Sequence, residues 1–291
     1  MSLILKVPSV NDDLKDFEWL FELRQKVENT ETEVILDFSK CWFLGQNAVA
    51  FLGGLIRLTQ DRANKIIFKW DTLHRKVRIN LEQNGFIYVF GDNKEPWQGN
   101  SIRYREDLHQ DKDSLVDYLA DEWLGRDWVH IGHNLRSAIV ARTLEIYANA
   151  FEHGQTEIGV FSCGQHYPKL GKLKLTVVDF GVGIPHNVRN FLQKPNLRAD
   201  KALEWAFQAG TTTRRGDVTG GIGLDYLKKF VQINKGKLEI FSDDGYVIID
   251  EQQETYQNLS TFFKGTLVNI TLLCDESYYS LTFEPDDEPL F

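Results

Sequence analysis

Cysteine is scarce in this chain, with 3 in 291 residues. Cys41, Cys163 and Cys274 stand far apart, with no CxxC or Cys/His spacing, so neither a disulfide framework nor a zinc site is indicated and buried thiols are expected. Surplus positive charge is also missing: 33 Lys and Arg against 42 Asp and Glu leave a net charge of −9, which favours neither nucleic acid nor an anionic membrane as a partner. No long apolar run occurs. The stretch from Ala48 to Ile56 falls far short of the ~20 residues a membrane span needs and reads as a core helix. The opening Met1-Ser2-Leu3-Ile4-Leu5-Lys6 lacks a basic region ahead of its apolar residues, so no secretion signal is expected and the cytoplasm is the default location. What is present is ordinary for a globular protein: 42% hydrophobic, 12% aromatic and 26% charged residues, in a length that suggests about two domains.

Short apolar runs at Val34–Phe38 and Ile66–Phe68 flank the helix-like run Ala48–Leu58, predicting a strand–helix–strand unit. A helix follows over Leu73–Leu81 and stops at Asn84-Gly85, where glycine suits a left-handed cap. Between Gly91 and Asp113 the composition turns to Gly, Asn, Pro and charge, and the joint between domains is placed there. Beyond it, Leu115, Tyr118, Leu119 and Trp123, then Leu135, Ile139, Leu144, Ile146 and Ala150, recur at helical spacing. Strand-like segments come next at Glu157–Ser162 and Leu173–Val178, and later at Lys237–Phe241, Tyr246–Ile249 and Leu267–Leu273. The division is a domain over 1–95, a linker over 96–112, a domain over 113–276 and a solvated acidic tail over 277–291. Its fold class is α/β followed by an α+β sandwich.

Three elements of the second half carry chemistry. In the first, Glu145, Asn149 and His153 are spaced i, i+4, i+8 and share one helical face. Such a stripe is either a solvated face or a site, in which an Asn oxygen suits Mg²⁺ held against phosphates and a Glu one turn away orients or deprotonates a nucleophile. The second is Val178-Asp179-Phe180-Gly181-Val182-Gly183-Ile184-Pro185, a strand ending in an acid, two glycines and a proline that suits the first turn of a helix. It reads either as a tight turn with a capping Asp or as a place where Asp179 accepts a hydrogen bond from the exocyclic amine of a base while the glycines let backbone approach the ring. The third runs from Gly210 through Thr211, Thr212, Thr213, Arg214 and Arg215 to Gly220, Gly221, Ile222, Gly223 and Leu224. Glycines ahead of a helix leave N–H groups facing an anion, and the arginines add donors for phosphate. A glycine-rich surface loop is the alternative. A Walker A loop is absent, since no Gly-Lys-Ser/Thr occurs.

In this order the three segments resemble the ATP-binding domain of the GHKL superfamily, the Bergerat α/β sandwich, over roughly Ser114 to Leu273. Glu145 and Asn149 match its N-box, Asp179-Phe180-Gly181-Val182-Gly183 its first glycine box, Gly220-Gly221-Ile222-Gly223-Leu224 its second, and Gly265-Thr266 its late Gly-Thr pair. Asn149-Ala150-Phe151-Glu152-His153-Gly154 is most similar to the anti-sigma-factor serine kinase branch. The resemblance implies ATP and Mg²⁺ as cofactors, with Asn149 on the metal and Glu145 as general base or water-orienting group. It further implies that Asp179 and Thr266 read adenine, that His153, Gly181, Gly183 and Ile184 stand around the nucleotide, and that 210–221 form a mobile lid over the triphosphate. The first half, from Val34 to about Phe90, more weakly resembles a STAS α/β domain. At the turn where that family carries a phosphorylated serine, this chain reads Leu44-Gly45-Gln46-Asn47-Ala48, with no hydroxyl.

Two functions follow from the resemblance. One is a nucleotide-dependent regulatory switch that hydrolyses ATP or transfers its phosphoryl group to Ser or Thr of a protein partner. The other is an interaction module that senses ATP without cleaving it. A histidine kinase fits poorly, because His130 and His133 lie too close to the N-box for separate phosphoacceptor helices. Dimerisation is common in the superfamily, so a homodimer is among the assemblies implied.

Overall fold

The computed structural model describes residues 2–60, 62, 64–92, 94–208 and 222–281, the side chains of 222–225 excepted. Mixed α/β structure with one parallel and one antiparallel sheet results. The alternating, β-branched run Val34–Asp37 forms β2, and it lies between two strands of similar pattern, β1 (Leu3–Lys6) and β3 (Ile66–Lys69). All pairs are parallel, with Val34 opposite Leu3 on one side and Ile66 on the other. Parallel neighbours need crossovers, and helices α1 (Leu14–Glu28) and α2 (Gln46–Thr59) supply them. α2 is apolar nearly all round because it is covered on both sides, by the parallel sheet and by the second sheet. α3 (Arg75–Gln83) ends at Asn84, and Gly85 takes φ +80° before α4 (Phe86–Phe90), as the Asn-Gly signal indicates.

The second sheet is antiparallel and contains β4 (Ser101–Asp107), β5 (Val160–Tyr167), β6 (Lys172–Asp179), β7 (Lys237–Asp250) and β8 (Glu254–Leu273), in the order β4-β5-β6-β8-β7. β4 lies inside the stretch 96–112 expected as a linker. Its residues Ile102 and Tyr104 are buried in the sheet, so the chain crosses between the halves as an edge strand. β7 and β8 are longer than the short runs read for them: the buried Ser242, Asp243 and Gly245 join the two runs of β7 into one strand, and partly exposed polar residues extend β8 toward the hairpin.

Alternation along these strands creates two cores. Leu173, Leu175 and Val177 of β6 join a cluster with α6 (His133–His153), α8 (Ala199–Ala206) and α9 (Ile222–Ile233). Val178 and Phe180 face the other way and join Phe17, Phe21 and Phe51 of α1 and α2. The layers therefore run parallel sheet, α1 with α2, antiparallel sheet, then α6, α8 and α9, while α3 and α4 pack into the first core. α5 (Lys112–Asp117) and a wide turn at Tyr118–Trp123 complete the last layer, with α7 (Ile184–Leu192) beside α8.

Cys41 and Cys163 are buried and Cys274 half-buried, all three as free thiols, and burial raises the Cys41 thiol to about 12. Within the expected tail, Tyr279 pairs with Ile131, so the chain is held as far as that point; residues 282–291 lie outside the described residues. Among the described residues no helix is long and apolar enough to cross a membrane.

Candidate functional site

The end of β6 meets the C-terminus of α6 at Asp179, where a Cβ on Gly154, just past α6, would lie 3.3 Å from Asp179 Oδ1. As the last residue of β6 it sits opposite Thr266 of β8, on the face turned toward α6 and α9. Only 3% of it is exposed. Its Oδ1 accepts the Gly181 N–H at 2.9 Å, and both the backbone and the hydroxyl of Thr266 hydrogen-bond to its carboxyl. An exposed capping aspartate with such donors would titrate below the ordinary carboxylate range. Here burial outweighs the hydrogen bonds and pushes the group up to about 7. Asp179 is thus a desolvated acceptor rather than a surface cap.

The glycines around it are required by close approach. A Cβ on Gly181 would come within 1.8 Å of the Gly154 carbonyl oxygen, which accepts the Val182 N–H at 2.7 Å. Gly183 precedes α7 with φ +82°, a backbone that L side chains rarely adopt. The first helical N–H of α7, from Ile184, donates to Ser242 Oγ at 2.9 Å, and that hydroxyl donates on to the Gly265 carbonyl at 2.7 Å. Asn187 Nδ2 bridges the carbonyls of His153, at 2.9 Å, and Gly183, at 3.2 Å. Gly154, Asn187 and Ser242 thus join α6, α7 and β8 into one frame. Sequence reading gave none of them this role, since each is a small polar or glycine residue that local pattern cannot distinguish from a turn residue.

The polar stripe of α6 leads away from this frame. His153 is half-buried in the last turn and Asn149 is exposed. At about 1.5 Å rise per residue, Asn149 stands roughly 7 Å and Glu145 roughly 13 Å along the axis from Gly154. Glu145 is 40% exposed and paired with Arg142 at 2.6 Å on its own helix. Among the described residues no group of three or more His, Cys, Asp or Glu gathers to hold a metal. Any Mg²⁺ here would therefore take one protein oxygen, from Asn149, and the rest from phosphate and water, a donor set Mg²⁺ accepts. Ile222, Gly223 and Leu224 open α9, which packs beside α6 and β7. Thr211, Thr212, Arg214, Arg215, Gly220 and Gly221 lie outside the described residues.

A cavity of about 540 Å³ lies elsewhere, where the two halves meet on the opposite face of the sheet, lined by Trp42, Phe43, Lys76, Asn80, Tyr167 and Leu170 among others. It contains none of the residues singled out above. No family model matches the chain, and no curated protein matches it.

Proposed function

We propose that the second half is a GHKL-type ATP-binding domain and that the chain acts as a nucleotide-dependent switch. The observation that carries this reading is Asp179, a carboxylate desolvated at the end of β6, in a glycine-bounded turn whose N–H of Gly181 donates to it. A buried acceptor of this kind suits the exocyclic amine of adenine, because a hydrogen bond to a charged group in a water-poor site is strong and the amine has no competing solvent. Thr266 stands beside it to bond a second edge of the base. Outward along α6 come Asn149, whose side-chain oxygen would hold Mg²⁺ against the phosphates, and Glu145, whose carboxylate would orient or deprotonate the attacking nucleophile. Bound Mg²⁺ would neutralise triphosphate charge. Glu145 would have to leave Arg142 to act.

That Arg142 pair supports the second reading, in which ATP is bound and not cleaved. Phosphoryl transfer to the first half finds no support: at the position of a STAS phosphoacceptor, Gln46 and Asn47 are 3% and 0% exposed and carry no hydroxyl. The first half is proposed as a STAS-like regulatory module docked on the sheet. The test is the fate of γ-labelled ATP with the full chain and Mg²⁺. Label released as phosphate by wild type, and lost in both Asn149→Ala and Glu145→Ala, supports a switch that hydrolyses. Bound but intact ATP in wild type leaves the sensor. No binding of MgATP at all refutes both.

A further inference from the structure

Helix α1 of the first half touches β8, which carries Thr266, and the ring of Phe180, which follows Asp179. Two consecutive residues of α1 bind the backbone of β8: Arg24 Nη1 donates to the Lys264 carbonyl, and Gln25 Nε2 donates to the Phe262 carbonyl at 3.1 Å. These carbonyls lie where β8 loses register with β7. Thr266 stands opposite Ser242 and Phe263 opposite Asp243, so Lys264 and Gly265 bulge out between them. At the bulge Gly265 has φ +144°, and a Cβ there would come within 2.3 Å of the Asp179 carbonyl oxygen. The bulge thus shapes the floor beneath Asp179 and Thr266, and α1 satisfies the carbonyls that the broken ladder leaves over.

Arg24 does more than cap a bulge. It is 4% exposed, its guanidinium lies 5.1 Å from the centre of the Phe180 ring and 5.3 Å from that of Phe263, and Glu28 pairs with it at 3.1 Å. Phe180 directly follows Asp179, and Phe263 directly precedes the bulge. A buried guanidinium costs desolvation that an apolar side chain of equal length would avoid. Here it is placed against both segments that form the site floor.

We infer that Arg24 is a positioning residue for the nucleotide site: through Phe180, Phe263 and the Lys264 carbonyl, α1 sets the geometry of Asp179 and Thr266, so that the docked first half controls nucleotide affinity. The inference rests on the reading of Asp179 as the adenine acceptor. Hydrogen bonds from Gly181 and Thr266 draw the Asp179 carboxyl down against its burial, and the charge of Arg24 adds a smaller pull in the same direction. Other titratable groups on the elements around Asp179 include Glu28 on α1, Glu152 and His153 on α6, His186 and Arg189 on α7, Tyr226, Lys228 and Lys229 on α9, Asp243 on β7, and Lys264 on β8; Arg189 is paired with Asp243 at 2.6 Å.

The test is calorimetric titration of the full chain with MgATP between pH 6 and pH 9, for wild type, Arg24→Met and Arg24→Lys. Loss of a hydrogen-bonded charge predicts on the order of tenfold weaker binding in Arg24→Met at pH 7.5. Without its cation Asp179 holds its proton to higher pH, so the pH at which affinity is half lost moves upward in Arg24→Met and returns toward wild type in Arg24→Lys. Titration of the nucleotide itself is common to all three proteins and cancels in the comparison. A folded Arg24→Met with wild-type affinity and pH profile overturns the inference. Where Arg24→Met does not fold, the exposed Gln25→Ala decides, since it removes the neighbouring α1 bond to β8: weaker binding is expected, and wild-type affinity overturns the inference. A wild type that binds no MgATP fails the adenine reading first, which is a distinct result.

Discussion

Replacing Asp179 by Asn separates what this residue does for the site from what it costs the fold. Burial moves its carboxyl from the ordinary 3.8 to about 7. Because the folded value is the higher one, the stability this group contributes is fully present below about pH 4 and is lost as pH rises toward 7. At about 1.36 kcal/mol per pH unit the native state loses on the order of 4 kcal/mol across that window. The asparagine stays neutral and its Oδ1 can still accept the Gly181 N–H, but it gives up charge-assisted bonds worth a kcal/mol or two. That hydrogen-bond loss does not vary with pH, so the pH-dependent relative gain expected for Asp179→Asn between pH 5 and pH 8 is that of the two pH units from pH 5 to about 7, roughly 3 kcal/mol. Urea denaturation of both proteins without nucleotide, at each pH, measures it. Wild type should weaken relative to the variant as pH rises, while the variant no longer binds MgATP. A stability difference that is the same at pH 5 and pH 8 would refute the reasoning, because it would mean that Asp179 is not desolvated.

Gly265→Ala places a methyl 2.3 Å from the Asp179 carbonyl oxygen at φ +144°. It should cost at least about 2 kcal/mol in urea denaturation and weaken MgATP binding, while an alanine tolerated at no cost would contradict the bulge geometry. Gln46→Ala removes the side chain that bonds Thr176 at 3.3 Å, Asn269 at 3.1 Å and Tyr167 at 2.8 Å across the junction of the halves. A loss of roughly 2–3 kcal/mol is expected, since buried partners are left unpaired. It should appear as one unfolding transition by both circular dichroism and tryptophan fluorescence; two separated transitions in wild type would show that the halves do not share a core.

Much of the local architecture can be read without coordinates. The run Val34–Asp37, the apolar helix that follows and the strand Ile66–Lys69 announce themselves by period, and Asn84-Gly85 marks the end of α3 by the left-handed backbone that glycine adopts without strain. β1 and α1 carry no such mark. In α1 the buried face includes Asp16 and Arg24, charged residues that break an apolar stripe unless their partners are known. β4 has the composition of a linker because Arg103, Arg105, Glu106 and Asp107 dilute Ile102 and Tyr104, yet Arg105 and Asp107 pair with each other at 2.6 Å and the strand is tied into the sheet edge.

The candidate site divides in the same way. Sequence by itself determined that Glu145, Asn149 and His153 share a helix face, because helical period is a local property. It also indicated that Gly181 and Gly183 mark a tight turn after a strand, because the conformations of glycine are its own. Only the tertiary structure decided that Asp179 is desolvated, that Ser242 and Asn187 join three elements around it, and that α1 holds the bulge beside it through Arg24. Burial and partner choice depend on residues brought together across the chain, such as Arg24 and Lys264, separated by 240 positions, and no local pattern encodes them.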